Sequence, residues 1–278
     1  MRLKVKSRKL LPDSEKQSKT YGTQNREENK IQQTNIEWVK NPDGTQGYTS
    51  NPVKGYCPIA CPYCYARTLY DRFGWDKTIR FDVEELLAIE KHKKPAGIFL
   101  GSTFELFWDN LERSWQDSIF HTIRNCPQHR FYLLTKRPQN LIKWSPFPEN
   151  CWVGVTATNQ KAHNEAVVAL ANTEASIKFI SHEPLLGHIS LHSPEDAYDW
   201  DIIGSQTKPY RSPAIEDVKE IVRACDKASI SVFLKNNLRP LLGQYFGYEL
   251  RQEMPSLKPS AELIVGEGGN KWKMATRK

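Results

Sequence analysis

Long apolar runs are the first thing this sequence lacks: nowhere in its 278 residues do eighteen apolar side chains follow one another. A membrane-crossing helix needs about that many, so none is expected. The opening residues, MRLKVKSRKLLPDSEKQ, are basic but carry no continuous apolar segment, which argues against a secretory leader and for a cytoplasmic protein. No internal repeat and no low-complexity tract is present, so solenoids and fibrous arrays are set aside. Cysteine is scarce, six in all, and in a reducing compartment these thiols are not expected to form disulfides. A basic body is missing as well. Of the net charge of +7, residues 1–30 contribute nine Lys and Arg against four Asp and Glu, and the last eight residues contribute four against none. The stretch between is therefore near −2, which does not suit a surface that tracks phosphates, and the basic ends read as solvated tails.

What is present fits one globular core: 39% apolar and 26% charged residues in a chain long enough to bury it. Residues 1–33 are polar and lysine-rich and are expected to be a disordered basic tail. Residues 34–245 form the folded body, and 246–278 a C-terminal extension with a basic end. Within the body, short apolar stretches such as GIFLG, FYLLT and VFLK read as strands covered on both faces. Strands are expected at Tyr48–Tyr56, Ala96–Gly101, Arg130–Thr135, Trp152–Ala157, Ile177–Ser181, Asp201–Gly204 and Ser231–Leu234. Helical stripes lie between them. Asp82 and Glu85 make a capping box, Leu111, Trp115, Ile119 and Ile123 step by four, and two further stripes run from Ala162 to Leu170 and from Ile215 to Cys225. Alternating strands and helices without hairpins mean an α/β fold with a parallel sheet: a (β/α) barrel, partial or complete, with a doubly wound open sheet as the alternative.

Each expected strand runs out into polar residues. In order these are Cys57–Cys64, Ser102-Thr103-Phe104-Glu105, Thr135-Lys136-Arg137, Thr156-Ala157-Thr158-Asn159, Ser181-His182-Glu183, Ser205-Gln206-Thr207 and Lys235-Asn236-Asn237. In a parallel barrel such ends meet on one face, where sites are built. Any one triplet is an ordinary loop; seven in succession point to a site.

The segment GYCPIACPYCYA places Cys57, Cys61 and Cys64 in a C-x3-C-x2-C pattern, while Cys126, Cys151 and Cys225 sit in apolar surroundings and read as core. A structural zinc site wants four ligands, and this is a trio. A disulfide would leave one thiol over. Three thiolates on a [4Fe–4S] cluster leave one iron open to an exogenous molecule. Pro58 and Pro62 restrict the loop, Tyr63 is placed to shield a sulfur, and a helix from Cys64 would bury Tyr65, Leu69 and Phe73.

CPIACPYC resembles the cysteine signature of radical S-adenosylmethionine (SAM) enzymes. NIEWVKNP, NPVKGYC, GSTFELF, LTKRP, WVGVTATNQ, ISHEPLLG and IIGSQTKP, spanning residues 35 to about 240, are similar to the uncharacterised phage gene-product 37/68 family. The cysteine spacing here is the compact radical-SAM one, and GSQTKPY stands where that family carries a glycine-rich turn. The resemblance implies a [4Fe–4S] cluster on Cys57, Cys61 and Cys64, SAM chelated at the open iron, and reductive SAM cleavage to a radical that takes hydrogen from a substrate. It implies an electron donor such as flavodoxin or ferredoxin.

SAM brings an ammonium, a carboxylate, a ribose and an adenine, which assigns candidate roles. Ser102, Thr103 and Glu105 are placed for the ammonium, with helix capping as their plain alternative. Lys136 is placed for a carboxylate or phosphate, and Arg137 for a surface ion pair. Thr156, Thr158 and Asn159 are placed for the ribose, or as caps of the next helix. Glu183 is a candidate acid, base or ribose ligand, or else an ion-pair partner of Lys136 or Lys235. Lys235 points to the same face, Gln206 is a substrate amide contact, and His182 falls on the other side of its strand as a packed residue. The tryptophans, Trp38, Trp108, Trp144 and Trp152 among them, read mainly as packing. A nucleotide or nucleic acid is the substrate class considered; a zinc-stabilised nucleic-acid-binding protein without redox chemistry is the rival reading.

Overall fold

The computed structural model describes residues 31–191, 197–243 and 250–256. The basic N-terminal tail and the basic C-terminal end lie outside these residues. In chain order the elements are β1 (Gln32–Gln33), β2 (Tyr48–Ser50), β3 (Val53–Lys54), α1 (Tyr65–Phe73), β4 (Arg80–Phe81), α2 (Val83–Lys91) and β5 (Gly97–Leu100). Then come α3 (Arg113–Asn125), β6 (Arg130–Thr135), β7 (Cys151–Thr156), α4 (Gln160–Ala171), β8 (Ile177–His182) and β9 (Trp200–Ile203). The chain continues through β10 (Gln206–Thr207), β11 (Tyr210–Arg211), α5 (Ile215–Ala228), β12 (Ser231–Leu234) and the short α6 (Arg239–Leu242). No helix among the described residues is long and apolar enough to cross a membrane.

The architecture is mixed α/β around a mainly parallel sheet. Its order is β1-β2-β5-β6-β7-β8-β9-β12. From β2 onward every pair is parallel, and only β1 is antiparallel. Sequence neighbours are sheet neighbours throughout, so the reversal of order that defines a doubly wound sheet does not occur. Strands β5 to β9 and β12 are nearly fully buried, as apolar strands faced by helices must be.

Successive side chains on a strand point to opposite faces, and one face of this sheet is filled by aromatic rings. Tyr132 on β6, Trp152 on β7, Phe179 on β8, Trp200 on β9 and Phe233 on β12 form a cluster around Trp38. The Trp38 ring lies 5.1 Å from Phe99 on β5, 5.6 Å from Tyr132, 5.8 Å from Phe179 and 6.1 Å from Trp200. In a flat sheet β5 and β9 would be about 19 Å apart, four steps of about 4.8 Å. One indole reaching both means that the sheet is strongly curled around it. Gly154 on β7 makes room on the same face, since a Cβ there would overlap the Phe179 ring. The opposite face carries the helices: Ile215, Val218, Ile221, Val222 and Cys225 of α5 are all buried, as their periodicity requires.

Several sequence expectations need correction. Ile31 is buried and β1 pairs with β2, so the fold starts before residue 34, the expected boundary of the tail. Residues 250–254 belong to the body: Leu234 N donates to Arg251 O at 2.7 Å, Glu253 N to Val232 O at 3.0 Å, and Trp200 Nε1 to Glu253 O at 2.9 Å. They cover the open edge of β12, whose backbone groups would otherwise be unpaired. The first parallel strand ends at Ser50 rather than Tyr56. Asp82 does cap α2, accepting from Glu84 N, but Glu85 does not fold back; it takes Lys54 at 3.0 Å and Ser50 Oγ at 3.1 Å. On α1 the buried residues are Ala66 and Tyr70, while Tyr65 and Phe73 are exposed.

Candidate functional site

The strand ends that read as polar in the sequence meet at one cavity of about 930 Å³. Each of the seven segments contributes to its wall: the three cysteines, Ser102, Thr103 and Glu105, Lys136, Thr156, Ser181 and Glu183, Ser205 and Gln206, and Lys235. The period of two explains why. Stepping by two along each strand leads from the aromatic floor to the mouth: Tyr132, Leu134, Lys136; Trp152, Gly154, Thr156; Phe179, Ser181, Glu183; Phe233, Lys235.

All six cysteines are free thiols. Cys57, Cys61 and Cys64 are half-buried, and Cys126, Cys151 and Cys225 are buried. Burial pushes the thiols of Cys126, Cys151 and Cys225 up, which makes them inert core residues. Burial also raises Cys57, but the backbone N–H groups of Ile59 and Glu105 bond to its sulfur and oppose that shift. The loop is tightly wound. Ala60 takes φ +52°, a left-handed conformation that costs an alanine about 1 kcal/mol. Cys64 N donates to Cys61 O at 3.0 Å, and Cys64 itself is the N-cap of α1. Tyr63 places its hydroxyl between Cys61 and Thr158, and burial, then the neighbouring Cys61, pushes its pKa up. Among the described residues no group of three or more His, Cys, Asp or Glu side chains is placed to hold a metal ion.

Next to this loop, Asn51 organises a ledge. Its Oδ1 accepts from Ser102 Oγ at 3.2 Å, Thr103 Oγ1 at 2.9 Å and Thr103 N at 3.0 Å. The two hydroxyls spend their protons on Asn51, so their lone pairs remain for a ligand in the cavity. Glu105 does something other than expected. It is buried, with Oε1 accepting from Thr135 Oγ1 at 2.7 Å and Phe107 N at 3.0 Å, and Oε2 accepting from Lys136 N at 2.7 Å. The carboxylate thus ties the turn after β5 to the turn after β6. Glu105→Ala leaves three buried donors without an acceptor and lowers stability by about 2–3 kcal/mol, measurable by urea unfolding; a loss under 0.5 kcal/mol would contradict that bracing role. The turn it holds carries Lys136, whose Nζ lies 3.4 Å from Thr156 Oγ1. Among the described residues Lys136 has no ion-pair partner, so its charge faces the cavity unmatched.

Across the mouth the cation is matched twice. Lys235, almost fully buried, is ion-paired with Glu183 and lies 3.4 Å from Glu37. Burial alone would lower its pKa, but the carboxylates of Glu183 and Glu37 outweigh that and raise it. Gly204 permits this pair: a Cβ there would sit 3.0 Å from Lys235 Cδ and 3.3 Å from Glu183 Cγ. The ion-pair alternative for Glu183 and Lys235 is therefore what the structure holds. Below them Ser181 Oγ, Ser205 Oγ and Trp38 Nε1 are buried without a hydrogen-bond partner among the described residues, and all three residues line the cavity.

Of the two readings of Asn159, ribose ligand or helix cap, the structure holds the cap: its Oδ1 accepts from Ala162 N at 3.0 Å at the start of α4. Thr158 turns to Tyr63 and does not line the cavity. Gln206 lines it, but its amide donates to Pro209 O at 2.9 Å. His182 packs on the helix side as expected, between His163 at 3.2 Å and Asp201 at 2.9 Å. Sequence reasoning missed Asn51 and Glu37. Asn51 directly follows β2, but the strand was drawn through to Tyr56 and hid it.

Fold and site define a parallel-sheet α/β protein with a three-thiol loop opening onto a polar cavity at the carboxyl ends of its strands. Residues 33–249 match the model of a family described as a protein of unknown function, DUF5131. The chain belongs to that family. No curated protein and no solved structure matches it.

Proposed function

We propose that this protein is a cytoplasmic radical SAM enzyme, built on a partial parallel (β/α) barrel curled about Trp38. The observation that carries the reading is the placement of Cys57, Cys61 and Cys64 on one loop lining the 930 Å³ cavity. The donor set fits a [4Fe–4S] cluster. It offers three thiols and no fourth, because the other three cysteines are buried in the core. Backbone N–H groups of Ile59 and Glu105 reach the Cys57 sulfur, and Cys64 stands at the N-terminus of α1. A single zinc ion would draw its sulfurs to within about 3.8 Å of each other, from a Zn–S bond near 2.3 Å. Thiolates bound to separate irons stand further apart.

Cys57, Cys61 and Cys64 would hold such a cluster, and when bound it would supply the electron for reductive cleavage of the SAM sulfonium. The chain's own residues have to bind and orient that cofactor. Ser102 and Thr103 present lone pairs for its ammonium, Lys136 a free cation for its carboxylate, and Thr156 a hydroxyl for its ribose. The pair formed by Glu183 and Lys235 holds a carboxylate near the mouth, where it can accept a hydrogen bond from a substrate.

Anaerobically purified protein is expected to be brown, to contain about four irons with matching sulfide, and to release 5′-deoxyadenosine from SAM with a strong reductant. One zinc in a colourless protein would overturn the proposal in favour of a structural metal site. A loaded cluster that never cleaves SAM would leave a binding protein rather than an enzyme.

A further inference from the structure

Beside the cysteine loop, the chain leaves large rings in water that it buries elsewhere. Tyr65 is 46% exposed, Phe73 55% and Trp75 48%, while Trp38, Trp152 and Trp200 are at most 3% exposed. Two of the exposed rings, Phe73 and Trp75, are ordered against each other. Phe73 and Trp75 stack with centroids 5.5 Å apart at 24°, and Trp75 rests edge-on against Tyr70 at 5.4 Å. Gly74 between them takes φ +62° as the cap of α1, the left-handed turn that lets both rings lie together. Arginines accompany them. Arg72 Cζ lies 5.4 Å from the Phe73 ring, and Arg67 Cζ 4.5 Å from that of Tyr56.

The charges around this patch separate clearly. Lys77 is paired with Asp71 at 2.6 Å and Arg80 with Asp76 at 3.1 Å, so both acids of residues 65–80 are matched. Among the described residues Arg67 and Arg72 are in no ion pair, and Arg67, whose charge also acts on Asp71, donates to Cys57 O at 3.0 Å. Rings with open faces and a small surplus of arginine suit a ligand with flat, unstacked bases and a thin line of phosphates. Tyr65 and Trp75 also line the cavity, so the patch is continuous with its mouth.

We propose that Tyr65, Phe73 and Trp75, with Arg67 and Arg72, form a stacking platform that binds single-stranded nucleic acid at the entrance of the cavity. Bases stack on the rings and the arginines meet the backbone, which gives affinity with little dependence on sequence. A duplex, whose bases already stack on one another, is a poor ligand. As a statement about the substrate of the cavity this rests on the reading above. As a statement about binding it does not, since neither SAM nor reductant is needed.

The test uses the full chain and fluorescein-labelled dT12 and rU12, read by anisotropy over a salt series. Binding of either oligonucleotide is expected, with the two arms telling DNA from RNA. The Phe73→Ala/Trp75→Ala double variant is expected to bind at least tenfold more weakly, from stacking lost on two rings. Arg72→Gln should flatten the slope of log K against log salt by about 0.7, the contribution of one phosphate on a single strand. Wild-type affinity in the double variant would overturn the proposal, because the basic tails alone would then carry binding. So would no binding at all, an equally tight Trp75-dependent duplex complex, or an acidic electron-transfer protein that needs Phe73 and Trp75 where the oligonucleotides do not bind. If the double variant loses its fold, Phe73→Ala decides alone: weaker binding upholds the platform, and unchanged binding removes it.

Discussion

Replacing any one of Cys57, Cys61 or Cys64 by alanine is expected to abolish both the brown colour and 5′-deoxyadenosine formation. A cluster held at three corners has no spare protein ligand, so two thiolates cannot do the work of three. Cys126→Ala, Cys151→Ala and Cys225→Ala form the opposite set. Their thiols are buried and held protonated by that burial, and removing them takes away core volume alone, at about 1 kcal/mol each. They should keep the colour and the cleavage, with a slightly lower melting temperature. The contrast between the two sets carries the test, because each variant deletes one sulfur from the same chain. Equal loss of colour in both would mean that colour follows folding, and the cluster assignment to the loop would fail.

The strands were legible because short continuous apolar runs suit strands covered on both faces, which are buried at nearly every position. The expected strands at Arg130–Thr135 and Ser231–Leu234 coincide with β6 and β12, and the α5 stripe is buried residue for residue. What failed was local. Thr156 ends β7 and faces the cavity, whereas Asn159, readable as ribose ligand or as cap, lies at a helix N-terminus that competes for an Asn side chain, and α4 takes it. Glu105 looked like an acceptor waiting for a ligand. In three dimensions the turns after β5 and β6 bring it three donors, and no linear pattern announces a contact between residues 30 apart. The ring cluster was read as packing, which is right for Trp38 and Trp152. Nothing in the spacing told their indoles from the exposed one of Trp75, since Gly74 separates it from α1 and breaks the helical period.

Trp38→Ala is expected to be the most damaging substitution away from the cysteine loop. The indole is 2% exposed and touches rings carried by β5, β6, β8 and β9, so it fills the space that the curled sheet encloses. Truncating a large buried aromatic costs about 3–5 kcal/mol, against a total stability of about 5–15 kcal/mol for a domain. A fall in melting temperature of roughly 10 °C follows. The cavity left behind lies under Ser181 and Ser205, so the floor of the site should loosen together with the fold. Trp38→Phe separates packing from polarity. It keeps a ring in the hub but loses Nε1, which has no hydrogen-bond partner among the described residues, together with about two ring carbons, so about 1–2 kcal/mol should go. If Trp38→Ala melted within about 3 °C of the wild type, the indole would not be the strut around which the strands curl, and the barrel reading of the sheet would lose its physical basis.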